Sequence, residues 1–509
     1  MSCLAAQTPR RGRAGSRACL CAGLLASLAL VLASAPVARA AAHRPIPVSR
    51  RSTPISVAID TRNPLPPVPR SFFGLSFELS SLSRVARYAD RGDLVALLRS
   101  LGPGVLRFGG VSADTRIAWT DASTPRPAWA TGTLDAADFP PLASLAAKTG
   151  WRILLTIGLG HFEPEAAARE AAAAEAALGG WLEAIELGNE PNAWALTGLR
   201  SEPWTFVQYD AQVAAYRSAI EAAAPGIPLA GPDTSGSSAF ENWGLAEVIN
   251  QRPALLTGHH YALGCAQQPP PTISRLLSPR TRQLEETSLS RYTSIAWAGE
   301  TPFRLDETNN VSCGGVAGIS NTFASALWAA GYLTRAMAMG LEGINLHANQ
   351  VNCGGYAPIC APTPQALAAG ALQVQPEWYA LQLIKRLVGE RPLPTTTSSP
   401  ARPNVQVTTT LASDGRLHFV IVDDDPPGAR GVVVRLRVSR AFGAGSILSL
   451  TAPSPAALSG VLLGGRGIAP EGTWVPPKRL PRAANKRGTI SVRIAPSSAA
   501  LVTVSPKAS

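Results

Sequence analysis

The chain of 509 residues has few charged, aromatic and methionine residues. Charged residues make up 16% of the sequence and aromatic residues 6%, and no dense run of Lys and Arg is interleaved with aromatic side chains. Because nucleic-acid-binding surfaces usually carry such a stretch, the sequence predicts no nucleic-acid partner. After residue 40 no apolar run reaches the roughly 18 residues that a membrane span requires, so no span is predicted.

Cysteine is also scarce, and three of the seven cysteines lie before residue 40. The other four are Cys265, Cys313, Cys353 and Cys360. They show no CxxC or CxxH spacing, which makes a zinc site the weaker alternative. In an exported protein four cysteines are expected to form two disulfides. Of the three possible pairings we favour Cys265–Cys313, which follow successive predicted strands, and Cys353–Cys360, which are close in sequence.

Residues 1–40 have the features of a secretory signal peptide. Several arginines precede an apolar run over residues 18–35, and Ala38-Arg39-Ala40 fits a small-x-small cleavage site. Cleavage would remove five arginines and no acids, which lowers the formal net charge from +12 to +7. We predict a secreted, extracellular or periplasmic protein, with the Sec route favoured and the twin-arginine route as an alternative suggested by Arg10-Arg11. Residues 41–55 are predicted to be a disordered linker.

From residue 71 to residue 390 short apolar runs alternate with helix-like segments. The runs cover residues 73–77, 105–108, 153–157, 184–187, 227–230, 255–259, 303–305 and 344–347. The helix-like segments between them include 93–101, 137–148, 163–178, 206–224, 321–340 and 377–388. Eight strands alternating with helices predict an α/β fold whose parallel sheet closes into a (β/α)8 TIM barrel.

The composition changes after Gly389. Residues 391–402 are rich in Pro, Thr and Ser and are predicted to be a linker. Residues 403–509 contain short β-rich runs separated by Gly, Pro and Asp, which predict a C-terminal antiparallel β-sandwich. Residues 56–70, before the first barrel strand, are expected to supply an N-terminal strand to that sandwich.

Two glutamates follow apolar runs at positions where a barrel would place catalytic groups. Glu190 follows the fourth run in Glu186-Leu187-Gly188-Asn189-Glu190-Pro191, and Glu307 follows the seventh in Leu305-Asp306-Glu307-Thr308. In a TIM barrel both would lie at the C-terminal face. Retaining glycosidases use two carboxyl groups about 5–5.5 Å apart, one protonated and one ionised. The sequence therefore predicts a glycoside hydrolase. Glu186, two layers below Glu190 on the same strand, is interpreted as structural.

Several motifs together resemble glycoside hydrolase family 79, which contains heparanases and microbial β-glucuronidases. The motifs are Leu106-Arg107-Phe108-Gly109-Gly110 with Asp114, Asn189-Glu190-Pro191-Asn192, His259-His260-Tyr261, Asp306-Glu307-Thr308 and Ala326-Leu327-Trp328. The resemblance extends over residues 56–505. It implies a barrel with a C-terminal β-sandwich and retaining hydrolysis of β-linked glucuronic acid without metal or organic cofactor. By this resemblance Glu190 is the acid/base, Glu307 is the nucleophile and Asn189 holds the 2-hydroxyl of the glycone.

Further residues are candidates for substrate contact. They are Glu78, Arg107, Asp114, His260, Tyr261, Gly355 and Tyr356. For Arg107, which lies inside a barrel strand, neutralising the catalytic acids is the favoured role. The Gly354-Gly355-Tyr356 segment resembles the part of the family that receives the sugar carboxylate. Val311-Ser312-Cys313 departs from the related bacterial enzymes, which have a tyrosine soon after the nucleophile, and this leaves glucuronate selection open.

Two other functions remain compatible with these motifs. One is a retaining glycosidase of the same barrel type that acts on another β-glycoside or on an arabinofuranoside. The other is a catalytically silent glycan-binding protein, although a binding module has no need for an ionised glutamate pair. No Gly-x-Ser-x-Gly elbow is present, so a serine hydrolase is not supported. Under all three functions the expected partner is a glycan, and the pattern is compatible with endo or exo cutting and with any oligomeric state.

Overall fold

The computed structural model describes residues 53–348 and 353–507. Before and within the barrel its strands are β1 (Thr53–Ile59), β2 (Phe73–Glu78), β3 (Gly104–Gly109), β4 (Ile117–Trp119), β5 (Gly132–Leu134), β6 (Trp151–Ile157), β7 (Leu182–Leu187), β8 (Leu229–Thr234), β9 (Leu255–Leu263), β10 (Phe303–Val311) and β11 (Gly343–His347). After the barrel follow β12 (Ile359–Cys360), β13 (Gln373–Val374), β14 (Arg391–Leu393), β15 (Thr395–Ser398), β16 (Val405–Leu411), β17 (Leu417–Asp423), β18 (Val432–Arg437), β19 (Phe442–Thr451), β20 (Leu462–Leu463), β21 (Arg482–Ala483), β22 (Asn485–Lys486), β23 (Thr489–Ile494) and β24 (Ser498–Pro506). The predicted signal peptide, residues 1–40, lies outside the described residues.

The helices are α1 (Leu82–Ala86), α2 (Leu94–Leu101), α3 (Val111–Thr115), α4 (Phe139–Thr149), α5 (Pro164–Leu178), α6 (Trp194–Thr197), α7 (Phe206–Ala223), α8 (Ser237–Asn250), α9 (Ile273–Leu276), α10 (Pro279–Ala298), α11 (Phe323–Met339), α12 (Pro364–Ala369) and α13 (Pro376–Ile384). All six predicted helical segments are confirmed, with ends shifted by up to four residues. Within the described ranges no helix is long and apolar enough to cross a membrane.

Eight parallel strands close into a barrel. Seven of the eight predicted runs lie within one of them, and the run 227–230 overlaps the start of β8. Their order around the barrel is β2, β3, β6, β7, β8, β9, β10 and β11, with β11 pairing back to β2. Consecutive strands are neighbours because each connection is a helical crossover, which in parallel sheets returns to the adjacent position. The predicted (β/α)8 fold is confirmed.

The sixth and seventh barrel strands are longer than the sequence predicts. β9 and β10 continue past Glu307 as a paired ribbon, in which Asn309 pairs with Tyr261 and Val311 with Leu263. The expectation that Glu307 ends its strand is therefore wrong: it lies in the middle of β10, next to a register shift between Leu305 and Thr308. The shift reorients the strand there, as β-bulges near active sites commonly do.

A second layer of the protein is a β-sandwich. One sheet has the order β15-β1-β18-β23-β22, and the other has the order β14-β16-β17-β24-β19-β20 with β21 beside β19. All strand pairs within the two sheets are antiparallel except β1 and β18, which run parallel. The sandwich core contains residues from both sheets, such as Val57, Phe419, Val434 and Val502.

Two predicted linkers are wrong where they meet this sandwich. Residues 391–402 contain β14 and β15, which pair with β16 and β1 respectively. The Pro and Thr residues suggested a break, but β14 and β15 each lie at the edge of their sheet, where a strand tolerates proline. Residues 41–55 were predicted to be disordered; 41–52 lie outside the described residues, and β1 begins at Thr53.

Strand β17 is buried on both faces and connects the two layers. Phe419 and Ile421 belong to the sandwich core, whereas Val420 and Val422 belong to the core that the barrel shares. Alternating side chains of a strand point to opposite faces, so β17 joins both cores. Both predicted disulfides are confirmed, Cys265–Cys313 after the ends of β9 and β10 and Cys353–Cys360 in the segment after β11.

Candidate active site

A cleft of about 840 Å³ opens at the C-terminal ends of the barrel strands. Both predicted catalytic glutamates, Glu190 and Glu307, line it. Its other walls come from the C-terminal ends of β2, β9 and β11 and from the segments after β2, β3, β8, β9, β10 and β11. They include Glu78, Arg84, His260, Tyr261, His347 and Tyr356. The fold thus brings together two carboxyl groups that are more than one hundred residues apart in sequence.

Glu190 sits in a backbone conformation that is unfavourable for a residue with a side chain. Its φ of 50° and ψ of 46° are left-handed, and Gly188, at φ 79°, turns the chain just before it. Left-handed residues other than glycine cost about 1–3 kcal/mol and concentrate at functional sites. Two backbone bonds hold the turn: Glu190 N–H donates to the Asp233 carbonyl (3.0 Å), and Ala193 N–H donates to the Glu190 carbonyl (2.9 Å). Pro191 then begins a short 3-10 turn.

Asp114 stabilises this turn from below. Its carboxylate accepts hydrogen bonds from the backbone N–H groups of Asn189 (2.7 Å), Leu159 (2.8 Å) and Gly160 (2.7 Å). Burial raises the pKa of Asp114 to about 6 although the three donors oppose the shift. Because its oxygens already accept three bonds and only 2% of the residue is exposed, Asp114 positions the loop. The prediction that it contacts sugar hydroxyls is not supported by this geometry.

Glu307 is surrounded by three hydrogen-bond donors. Arg107 Nη1 donates to Oε2 at 2.8 Å, and His347 Nδ1 lies 3.1 Å from the same oxygen. The Tyr261 hydroxyl donates to Oε1 at 2.8 Å. Burial alone would raise the pKa of Glu307, but the positive charges of His347, His259 and Arg107 hold it well below its usual value. Glu307 is therefore ionised at neutral pH.

Arg107 is fully buried and organises the acids below the cleft. Its Nη2 donates to Asp233 Oδ2 (2.7 Å) and to Asn189 Oδ1 (3.0 Å), and its Nε donates to Glu186 Oε2 (3.0 Å). The same Nε lies 2.8 Å from Asp306 Oδ2. These contacts support the neutralising role predicted for Arg107 and exclude a direct contact with substrate, since no part of its side chain is exposed. Glu186 belongs to this buried layer, as its structural interpretation requires.

His259 connects Glu190 to the buried acids. Its Nδ1 lies 2.9 Å from Glu190 Oε1, and its Nε2 lies 2.6 Å from Asp233 Oδ1. Burial would lower the pKa of His259, but the charges of Asp233, Glu307 and Asp306 raise it well above its usual value. With both ring nitrogens protonated, His259 donates to Glu190 on one side and contacts Asp233 on the other. In the next strand Glu307 pairs directly with His259, so one residue lies between the two catalytic candidates.

The trio of Asp233, His259 and Asp306 has the spacing of a metal site. A metal ligand must be a neutral imidazole or an ionised carboxylate. The cation Arg107 already contacts both aspartates, with Nη2 2.7 Å from Asp233 Oδ2 and Nε 2.8 Å from Asp306 Oδ2. The charge that a metal ion would bring is supplied by protein side chains, so this trio does not fit a metal.

The remaining candidates lie around the cleft in different roles. Glu78 faces the cleft while its Oε2 accepts the Ser112 N–H at 2.9 Å. The hydroxyls of Tyr261 and Tyr356 lie 3.3 Å apart beside Glu307. His260 lines the cleft wall, and burial lowers its pKa to about 4, so it is neutral.

The structure accounts for two residues of the glycine segment after β11, Gly355 and Tyr356. Tyr356 N–H donates to the Gly314 carbonyl at 3.2 Å, so it is not available to a sugar carboxylate. A Cβ on Gly355 would lie 2.1 Å from that same carbonyl oxygen. Gly355 thus permits close backbone packing, and Tyr356 lines the cleft.

The set of site residues predicted from sequence lacked four that the structure places at the site. They are Arg84, Asp233, His259 and His347. Asp233 and His347 stand at the C-terminal ends of β8 and β11, so the rule that located Glu190 could have found them. Arg84 lies on α1, and no sequence pattern distinguishes it from other surface arginines.

Comparisons with known proteins agree with the fold. No family model and no curated protein matches the chain. Among solved structures, a 4-O-α-L-rhamnosyl-β-D-glucuronidase from Fusarium oxysporum has a TM-score of 0.69 at 18% identity, over 90% of this chain and 99% of that one. A family 51 α-L-arabinofuranosidase from Bifidobacterium longum has a TM-score of 0.64 at 16% identity, over 89% and 100%. A GH51 arabinofuranosidase from Xanthomonas axonopodis pv. citri has a TM-score of 0.63 at 15% identity, over 89% and 100%. These likenesses confirm the barrel-and-sandwich fold that the resemblance to family 79 implies.

Proposed function

We propose that the protein is an exported retaining glycoside hydrolase of the family 79 type that cleaves β-linked glucuronic acid. The observation that carries the proposal is the unequal environment of two glutamates in one cleft. Glu307 has three donors and a pKa well below its usual value, whereas Glu190 contacts His259 and has 31% of its side chain exposed. Retaining hydrolysis needs one permanent carboxylate and one carboxyl group that exchanges protons with the reactants.

In the first step Glu307 attacks the anomeric carbon. Oε2 is occupied by Arg107 and His347, so Oε1, which has Tyr261 as its single donor, is the attacking oxygen. The bond from C1 to the glycosidic oxygen breaks, and its electron pair stays on the oxygen. Glu190 gives that oxygen a proton, and the leaving group departs as a neutral alcohol. A glycosyl ester on Glu307 remains.

In the second step water hydrolyses the ester. Glu190, now ionised, takes a proton from water while the water oxygen attacks C1, which releases Glu307 as a carboxylate. His259 Nδ1 donates to the ionised Glu190, and such charge-assisted bonds are roughly twice as strong as neutral ones. Asn189 Oδ1 accepts from Arg107, which orients the amide nitrogen as a donor for the 2-hydroxyl of the sugar.

Hydrogen-bond donors along the cleft support a glycone that carries a carboxylate. Tyr261 and Tyr356 present adjacent hydroxyls, and burial followed by the charge of Glu307 raises the pKa of Tyr261 well above its usual value, so it keeps its proton. Arg84 also lines the cleft, and its positive charge favours a carboxylate bound there.

An arabinofuranoside specificity is the second candidate. The fold is also similar to those of two arabinofuranosidases, and the Val311-Ser312-Cys313 segment lacks the tyrosine of related glucuronidases.

The two disulfides support the proposed export, because disulfides persist in oxidising compartments.

A panel of aryl glycosides tests the proposal. We expect turnover of the β-glucuronide in preference to the β-xyloside, β-galactoside and α-arabinofuranoside, and retention of configuration in the first-formed product. A 2-fluoro glucuronide should label Glu307, and Glu307→Gln should abolish both labelling and turnover. The matched control is Glu300→Gln, an exposed acid that lies outside the cleft and should label normally. Preferred turnover of another glycoside would refute the glucuronide, and turnover of none, with glycan binding kept, would favour a binding protein.

A further inference from the structure

Beside the main cleft lies a second hollow of about 310 Å³, and Glu190 lines both. Glu307 lines only the main cleft. In a retaining glycosidase the nucleophile contacts the sugar ring, whereas the acid/base contacts the oxygen that joins the ring to the leaving group. The hollow adjoins the acid/base but not the nucleophile. It therefore lies where the leaving group extends beyond the glycosidic bond.

The walls of this hollow are mainly apolar. Val111, Ala193, Trp194 and Leu199 supply apolar surface, and Val111 is 55% exposed, so it is open to a ligand. The indole Nε1 of Trp194 is already used, since it donates to the Asn189 carbonyl at 2.9 Å. A ligand in the hollow would meet the carbon surface of these side chains.

Apart from Glu190 and the amide nitrogen of Asn189, which is the donor proposed above for the sugar 2-hydroxyl, the polar side chains of the hollow make their hydrogen bonds within the chain. Asn189 Oδ1 accepts from Arg107 Nη2 at 3.0 Å. Thr115 Oγ1 donates to the Val111 carbonyl (2.8 Å), and Thr197 Oγ1 donates to the Trp194 carbonyl (3.3 Å). Asp114 accepts from three backbone N–H groups. Apart from Glu190 itself, the hollow presents no unpaired charged group among the described residues that line it. A sugar unit, which needs a partner for each hydroxyl, would find few here.

We propose that this hollow is the leaving-group subsite and that it selects uncharged, apolar aglycones such as aromatic alcohols. An apolar cavity of about 150 Å³ is enough for benzene, so a space of about 310 Å³ accommodates a two-ring system. The inference rests on the proposed retaining mechanism and on Glu190 as acid/base, but not on glucuronate as the glycone. The protein would then cleave glycosides of apolar alcohols more efficiently than disaccharides.

Two variants test the subsite with the full-length protein. Ala193→Leu fills the hollow, and Val111→Thr adds a hydroxyl at nearly constant volume. The readout is the ratio of kcat/KM for a naphthyl glycoside to kcat/KM for a phenyl glycoside with a leaving group of equal acidity, on whichever glycone the wild type hydrolyses. Since kcat/KM reports the step that expels the aglycone, we expect Ala193→Leu to lower the ratio at least 10-fold and Val111→Thr to lower it several-fold. Thermal unfolding confirms that each variant is folded.

The matched control is Leu196→Asn on α6, the short helix that follows Ala193. Leu196 is 90% exposed and does not line the hollow, so its ratio should equal that of the wild type. A disaccharide substrate forms the second arm, and its kcat/KM should respond less to Ala193→Leu than that of the naphthyl glycoside.

Unchanged ratios in folded Ala193→Leu and Val111→Thr, or a larger loss for the disaccharide, would overturn the subsite while leaving the proposed function intact. Turnover of a glycoside whose glycone is not glucuronate would refute only the glucuronide proposal. The subsite would still be tested, because the naphthyl-to-phenyl ratio would then be measured on that glycone. Turnover of no glycoside would overturn both.

Discussion

The hydroxyl of Tyr261 offers a sharp test of how Glu307 is kept ionised. It donates to Glu307 Oε1 at 2.8 Å, and its other polar neighbour is the Tyr356 hydroxyl at 3.3 Å. Tyr261→Phe removes this one oxygen and keeps the ring, so Glu307, the proposed nucleophile, loses one of three donors while Arg107 and His347 remain.

The size and the sign of the effect follow from that contact. A hydrogen bond to a charged group contributes about 1.5–3 kcal/mol, which corresponds to roughly 10–100-fold in an equilibrium constant. Because the bond stabilises the ionised form, its loss raises the pKa of Glu307. Catalysis needs the ionised form, so the acidic limb of the profile of kcat/KM against pH should move to higher pH. The loss of activity should be about 10–100-fold on that limb. On the neutral plateau it should be smaller, since the nucleophile gives up its charge in the transition state.

The assay is the pH dependence of kcat/KM for the best aryl glycoside. Tyr356→Phe is the matched control, because the Tyr356 hydroxyl contacts Tyr261 but not Glu307, and its acidic limb should stay in place whatever happens to KM. Superimposable limbs for the wild type and a folded Tyr261→Phe variant would refute the reasoning. So would a large loss on the plateau with an unmoved limb.

Three further predictions concern the groups around Glu190 and the buried acids. Glu190→Gln should keep the first step for aryl glycosides with good leaving groups, slow the second step and recover rate with azide as a glycosyl azide product; wild-type kinetics would exclude Glu190 as the acid/base. Asp114→Asn should lose about 10–100-fold in kcat/KM above pH 6, where wild-type Asp114 is ionised. At lower pH the kcat/KM of the variant should approach that of the wild type, and a loss that does not depend on pH would contradict this. EDTA should leave activity unchanged because Arg107 supplies the positive charge beside Asp233 and Asp306, and a loss reversed by a divalent cation would contradict that assignment.

The barrel could be predicted from the sequence because its signal is repeated. Each buried parallel strand is a short apolar run, and eight of them alternate with amphipathic segments. Glu190 was found because the end of a strand, a glycine turn and a proline coincide at one position. The edge strands β14 and β15 were missed because their Pro and Thr residues are typical of linkers, and only pairing with β16 and β1 makes them strands.

The buried polar layer could not be predicted in the same way. Arg107, Asp233, His259 and Asp306 come from four different strands, and their contacts depend on the register in which the barrel closes. Each is an ordinary polar residue in sequence. Which oxygen faces which nitrogen follows from the stagger of neighbouring strands, and a shift of one residue would turn the side chain to the other face. Asp114 shows the same limit, since sequence located it near the site but not beneath the loop.

The roles proposed for the two glutamates are supported by this layer independently of any resemblance. A nucleophile must remain charged through the approach of substrate, which requires fixed donors, and Glu307 has Arg107, His347 and Tyr261 with only 10% of its side chain exposed. An acid/base group must give a proton to the leaving group and take one from water. This requires access to the cleft, and the Glu190 side chain is 31% exposed.

Exchanging the two roles would require Glu307 to be protonated beside a buried guanidinium, which its lowered pKa opposes. It would also leave Glu190 to attack from the mouth of a hollow that holds no second carboxyl group able to serve as acid, since Asp114 there is committed to three backbone donors. Under the proposed function the arrangement is therefore directional, with the sugar expected on the Glu307 side and the departing group on the Glu190 side.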